Sequence, residues 1–98
     1  MYKDIINYEL ESGVSIEQLL AVAKQVADEW MQNQPGFIKW DIHTHKDGSF
    51  TDIVYWENEE SAKLAEKDMG NIPNAAVWYG CYKEGSITSK NLSLVASF

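Results

Sequence analysis

Three groups of side chains in this sequence have types and spacing that could do chemistry. The sharpest is His43 with Asp52. A carboxylate beside an imidazole raises its pKa and fixes its tautomer, which is how a general base is made. The same two residues facing each other across strands would also be an ordinary stabilising contact, which is the commoner use. His43 and His45 form an H-x-H pair on one side of a strand. Only Asp41 and Asp52 stand near enough to complete a metal site there, so no metal is expected. The second group is Asn7 and Asn91. Their amides could hold an oxyanion in a dry pocket, or simply satisfy buried backbone. The third group is aromatic. Trp30, Trp56, Trp78 and Tyr82 offer surfaces on which a flat molecule could stack, although Trp56 also reads as plain core. Cys81 has no evident partner base and is not read as a nucleophile. No Ser-His-Asp spacing, phosphate loop or pair of catalytic carboxylates is present.

The element that positions the first group is a β-hairpin over Phe37 to Trp56, FIKWDIHTHKDGSFTDIVYW. Asp47-Gly48 reads as a two-residue turn between runs rich in Ile, Val, Thr, Tyr and Trp. That turn sets His45 opposite Phe50, His43 opposite Asp52, Asp41 opposite Val54 and Lys39 opposite Trp56. The hairpin then has a dry surface of Ile38, Trp40, Ile42, Ile53 and Tyr55. Its other surface is mixed, with Lys39, Asp41, His43, Asp52, Val54 and Trp56.

The remaining elements follow from periodicity and caps. Residues 2 to 10 alternate as a strand, with Asn7 on the face of Lys3 and Ile5. Ser15 and Gln18 have capping-box spacing and open a helix. Its apolar stripe is Ile16, Leu19, Leu20, Ala23, Val26, Ala27 and Trp30. Asn33-Gln34-Pro35-Gly36 ends it. Asn58 caps a second helix with Glu59 and Glu60 in its first turn, a thin stripe of Ala62, Ala65 and Met69 with Leu64 nearby, and Gly70 as its stop. Residues 71 to 85 are the least legible, with Pro73 able to start a short helix through Trp78. A last strand runs from about Ser86 to Ala96.

The order strand, helix, strand, strand, helix, strand is the split βαβ pattern of an α+β, ferredoxin-like fold: a four-stranded antiparallel sheet with both helices on one side. One domain over residues 1–98 is expected. The uncovered face still carries large apolar groups, so a homodimer closing sheet on sheet is expected.

Composition bounds the partners. The net charge is −7, and all eight positive charges are lysines. No cationic cluster exists to displace counterions, so nucleic acid is excluded. Without arginine, bidentate capture of a phosphate or carboxylate is weakened. A single cysteine permits no internal disulfide, and the first residues hold no long apolar run. A cytoplasmic protein with no membrane span is the expectation.

Gln34-Pro35-Gly36-Phe37, the Asp-Gly turn, and Asp52-Ile53-Val54-Tyr55-Trp56 running into Glu57-Asn58-Glu59-Glu60-Ser61-Ala62 together resemble the antibiotic biosynthesis monooxygenase domain of the dimeric α+β barrel superfamily. The resemblance spans nearly the full chain. It implies a dimeric barrel that binds a small hydrophobic molecule, with no cofactor, and the oxidation of an aromatic or quinone-like substrate by oxygen itself. Asn7 resembles an asparagine used by several members, and Trp56 resembles the tryptophan that ends their third strand. The implied roles are His43–Asp52 as base, Asn7 and Asn91 on the oxyanion, and Trp30, Trp56, Trp78 and Tyr82 against the substrate. The haem-degrading branch uses a later histidine as iron ligand. This chain has none after His45, which sets that branch aside. Some relatives carry a histidine where this chain has Asn91. The alternative is a non-catalytic dimeric barrel serving as a binding or stress-associated module, since fold alone does not choose a reaction.

Overall fold

The computed structural model describes residues Met1–Phe98. The elements run β1 (Tyr2–Tyr8), α1 (Ile16–Glu29), β2 (Phe37–Thr44), β3 (Phe50–Trp56), α2 (Glu59–Lys67), α3 (Ala75–Gly80) and β4 (Thr88–Ser93), with 3₁₀ turns at Met31–Asn33 and Met69–Asn71. The sheet order is β2-β3-β1-β4 and every neighbouring pair is antiparallel. This is the expected ferredoxin-like α+β architecture.

The helices begin where their caps place them. Gln18 N donates to Ser15 Oγ at 3.1 Å and Ser15 N donates to Gln18 Oε1 at 2.8 Å, the two bonds of a capping box. Helix α1 buries Leu19, Ala23 and Val26 against the sheet, while Ile16 and Leu20 of the expected stripe remain exposed. Trp30 lies just past the helix and is buried. Helix α2 is capped by Asn58, whose Oδ1 accepts from Ser61 N at 2.9 Å. It buries only Ala62 and Ala65, with Leu64 turned to solvent. Small residues on that face leave room above the sheet. The short helix α3 forms after Pro73 and buries Trp78. Strand β4 is shorter than expected and exposed along its whole length.

The hairpin is where the structure departs from the sequence-based register. Thr44 pairs with Phe50, His43 with Thr51, Ile42 with Asp52, Asp41 with Ile53, Trp40 with Val54 and Lys39 with Tyr55. The turn is a three-residue loop of Lys46, Asp47 and Gly48. It is closed by His45 N donating to Ser49 O at 2.8 Å, inside which Gly48 N donates to His45 O at 3.0 Å. Gly48 has φ +88°, and Asp47 is not in the left-handed region. An Asp-Gly turn of the two-residue kind needs positive φ at both residues, whereas a type I turn with a glycine bulge needs it only at the last. Asp47 Oδ1 accepts from Ser49 N at 2.9 Å and so reinforces the second form.

A one-residue change in register exchanges the faces. Phe50, Asp52, Val54 and Trp56 are the buried residues of β3, and they share the helix-facing surface with Trp40, Ile42 and the Tyr2, Asp4, Ile6 and Tyr8 series of β1. Lys39, Asp41 and His43 lie on the opposite surface with Thr51, Ile53 and Tyr55. A bulge between Phe37 and Lys39 brings Phe37 opposite Trp56, with ring centroids 5.7 Å apart. The core divides in two. One part gathers Tyr2, Val26, Trp30, Val54, Trp56 and Trp78, and the other gathers Tyr8, Leu19, Phe50 and Cys81.

Candidate active site

Between the helix-facing surface of the sheet, helices α2 and α3, and the Trp30–Met31 segment that follows α1 lies a cavity of about 490 Å³. That is the size of a small-molecule site. Trp30, Trp40, Val54, Trp56, Ala65 and Trp78 form much of its apolar wall. Exposed Glu59, Lys63 and Glu66 of α2, with Ile87, Ser89 and Asn91 at the β4 side, form its mouth.

Two carboxylates sit among these aromatics. Asp52 is 2 % exposed. Its Oδ1 accepts from Tyr8 Oη at 2.8 Å and its Oδ2 from Trp40 Nε1 at 3.1 Å. Both donors are neutral. Burial therefore dominates and pushes the carboxyl up to about 6, even though the two hydrogen bonds favour the ionised form. Asp4 is half-buried, and burial raises its pKa too, opposed by the bond from Trp56 Nε1 at 3.1 Å. With its amide nitrogen toward Asp4, Asn91 donates to Asp4 Oδ1 at 2.8 Å and accepts from Tyr2 Oη at 3.0 Å. The phenols of Tyr8 and Tyr82 are pushed up, first by burial and then by the Asp52 charge, so both remain protonated donors.

The structure brings six of the eight expected site residues to this cavity: Asp52, Asn91, Trp30, Trp56, Trp78 and Tyr82. It does not bring His43 or Asn7. His43 is exposed on the far surface, its Nδ1 3.1 Å from Thr51 O. It therefore does not pair with Asp52, because the register sets those two side chains on opposite faces. Asn7 is also on the far surface, where Thr51 Oγ1 donates to Asn7 Oδ1 at 2.6 Å and His45 Nε2 lies 2.6 Å from the same hydroxyl. Asn7 and Asn91 accordingly cannot grip one oxyanion. No three His, Cys, Asp or Glu side chains converge as metal ligands. Burial pushes the Cys81 thiol up, and it packs with Tyr8, Leu19 and Phe50.

The residues that sequence reasoning missed are Asp4, Tyr2, Tyr8 and Trp40. A usable signal exists for the two acids. Asp4 stands between Tyr2 and Ile6, and Asp52 between Phe50 and Val54, at the i±2 spacing that shares one face of a strand. An acid interrupting an apolar face on both sides marks a buried carboxylate.

No family model and no curated protein matches the chain. Solved structures do. SnoaB, a cofactor-independent oxygenase from Streptomyces nogalater, superposes with a TM-score of 0.78 at 14% identity, over 98% of this chain and 94% of that one. A monooxygenase from the gene ActVA-Orf6 of Streptomyces coelicolor, in complex with the ligand nanaomycin D, gives 0.74 at 15% identity, over 99% and 89%. Rv0793 from Mycobacterium tuberculosis gives 0.72 at 8% identity, over 98% and 96%. The chain thus has the fold of the antibiotic biosynthesis monooxygenase-type proteins, with an aromatic, carboxylate-bearing cavity between its sheet and its helices.

Proposed function

We propose that the chain binds a flat aromatic or quinol-type molecule in this cavity and oxidises it with molecular oxygen, without a bound cofactor. The observation that carries the reading is Asp52, a carboxylate with no cationic partner at the floor of an aromatic-walled cavity. Its pKa near 6 suits a general base at neutral pH. Asp52 takes a proton from an activated C–H of the substrate. The resulting carbanion adds oxygen at that carbon, the peroxide anion takes the proton back from Asp52, and the hydroperoxide loses water, with the second hydrogen of the same carbon, to leave a new carbonyl. Trp56, Trp30, Trp78 and Tyr82 hold the ring, and Asn91 orients the rim. The small Ala62 and Ala65 faces of α2 leave the space above the sheet open, which also supports a ligand.

A panel of anthrones and hydroquinones tests this in an oxygen electrode and by thermal shift. At least one compound is expected to raise Tm and to drive oxygen uptake that Asp52→Asn abolishes. If no compound does either, the reading fails. A second reading, a non-catalytic binding module, is favoured by one detail: the Asn91 amide is already engaged by Asp4 and Tyr2. Thermal shifts without oxygen uptake across the panel would select it.

The same reading includes a homodimer with the two sheets face to face. In its support, the far surface carries Ile53 and Tyr55 with exposed Leu92, apolar area that a twin copy would cover. Sedimentation at micromolar concentration is expected to give twice the 11.2 kDa protomer mass. A single well-folded protomer would remove the dimer from the account.

A further inference from the structure

One phenol in the cavity has no acceptor. Tyr2 Oη donates to Asn91 and Tyr8 Oη to Asp52. Tyr79 is exposed, and Tyr55 is on the far surface beneath Lys3 and Lys39. Tyr82 lines the cavity, and its hydroxyl donates to no group of the chain. Asp52 does not take that proton, because Oδ1 is filled by Tyr8 and Oδ2 by Trp40. The one sealed side-chain polar atom without a partner is Trp78 Nε1, so the Tyr82 hydroxyl keeps open surface.

The hydroxyl is held in place from several sides. Tyr82 bridges Leu10 just past β1, Glu11 N donates to Cys81 O at 2.8 Å, and Lys83 N donates to Glu9 O at 2.9 Å. Its ring stands edge-on to Tyr8 and Trp78, with centroids 4.4 and 5.9 Å away. Trp78 Nε1 lies against the Tyr82 oxygen. An N–H directed at a phenol oxygen leaves that phenol's own hydrogen to point elsewhere and strengthens it as a donor. The base is near: Tyr8 touches Tyr82 with its ring and Asp52 with its hydroxyl, and the Asp52 charge is felt at Tyr82.

The proposed reaction needs such a donor. When Asp52 takes a proton from carbon, the electron pair left behind spreads into a conjugated carbonyl, whose oxygen becomes negative. A fixed donor aimed at that oxygen is worth most as the charge develops. The other candidates are occupied or absent. The chain has no arginine, the cavity's one lysine, Lys63, is bound to Glu59 at 3.0 Å, and the Asn91 amide is on Asp4.

We infer that Tyr82 donates the hydrogen bond that holds the substrate's carbonyl oxygen, in conjugation with the C–H that faces Asp52, and that Trp78 positions the Tyr82 hydroxyl. This rests on the proposed function and names the group that meets the developing charge. The proton passes from carbon to Asp52 alone, and Tyr82 keeps its own.

The whole chain with 4-nitrophenol tests it, because the ionised ring oxygen stands in for the enolate oxygen and its colour reports ionisation. Nitrobenzene, which lacks that oxygen, is the control. Tyr82→Phe is expected to raise the ionisation midpoint of the bound nitrophenol by about one to two pH units, the size of one hydrogen bond to a charged group. Nitrobenzene affinity is expected to be little changed by calorimetry. Trp78→Phe is expected to move the midpoint in the same direction by less. The Tyr82 comparison is repeated in the Asp52→Asn background, so that the carboxylate charge does not mask it. With any substrate that turns over, Tyr82→Phe is expected to lower kcat by about 10²–10³ with KM little changed. An unmoved midpoint, or an equal loss of nitrobenzene affinity, would overturn the role of Tyr82 while the cavity reading stands. If the wild type binds neither probe, both fall.

Discussion

Replacing Asp52 with asparagine is expected to remove a pH-dependent penalty from the fold. The Asp52 carboxyl lies above its ordinary 3.8, at about 6, because burial disfavours the charge. A group whose folded pKa is raised gives its full stability below the unfolded value and loses it as pH rises through the folded one. The wild type should therefore lose on the order of 3 kcal/mol between about pH 4 and pH 7 through this group alone. An asparagine in its place would keep one acceptor but set an amide against the other donor, at a cost of about 1–3 kcal/mol at every pH. The variant should then be clearly less stable than the wild type in acid and about equal to it above neutrality. The comparison must be a difference between the two proteins, because other groups titrate in the same range. Burial raises Asp4 in the same sense, while hydrogen bonds from Ser49 hold Asp47 low and bonds led by that from Asn71 hold Asp68 low, with the opposite sign. Urea melts at several pH values measure the difference. Parallel curves would show that Asp52 does not ionise in a dry site. Loss of the base should also lower any oxygen uptake by about 10²–10⁴.

Gly36→Ala is expected to be the most damaging single-methyl change in the chain. Gly36 has φ +79°, and a Cβ there would lie 2.6 Å from Ser61 Cβ and closer still to Ser61 Oγ. Ser61 cannot easily withdraw. Its N and Oγ both donate to Asn58 Oδ1, at 2.9 and 3.0 Å, and so form part of the α2 cap. Gly36 O also accepts from Glu57 N at 2.8 Å, which ties this turn to the start of the helix. Left-handed strain of about 1–2 kcal/mol adds to overpacking of about 1–3 kcal/mol. Gly48 provides the control. Its φ is +88°, but nothing lies within 4 Å of a Cβ built there. Gly48→Ala should show the strain alone. Ser61→Gly should recover part of the Gly36→Ala loss, because it deletes the obstructing atoms. Equal losses at the two glycines would contradict the clash. Any shift of α2 also moves Ala62 and Ala65, so ligand affinity should fall with stability.

What was readable in the sequence divides by mechanism. Helix α1 was legible because Ser15 and Gln18 state a cap and Leu19, Ala23 and Val26 state a period. The strand order was legible because helices and strands alternate in a pattern few folds satisfy. The hairpin was located correctly, yet its register was not, because Asp47-Gly48 serves two turn types that differ by one residue. The difference is settled by the φ of Asp47 and by burial, which the dipeptide does not encode. That single residue separated His43 from Asp52, while the inward side of Asp52 was undetermined because the sequence does not say which face of β3 meets the helices. Asn7 was misplaced for a related reason: its strand face was read correctly, but which face meets the helices was undetermined. Trp30, Trp56, Trp78 and Tyr82 were legible as large aromatics near the sheet. Their convergence on one cavity depends on small Ala62 and Ala65 leaving space between α2 and the sheet, which periodicity alone does not reveal.

The most direct test of the cavity chemistry is the carboxyl titration of Asp52 followed by carbon NMR in the intact chain, assigned by its loss in Asp52→Asn. The expected midpoint is near 6. A midpoint at or below 3.8 would mean that water reaches the carboxylate freely, and the chemistry built on a dry Asp52 would be contradicted.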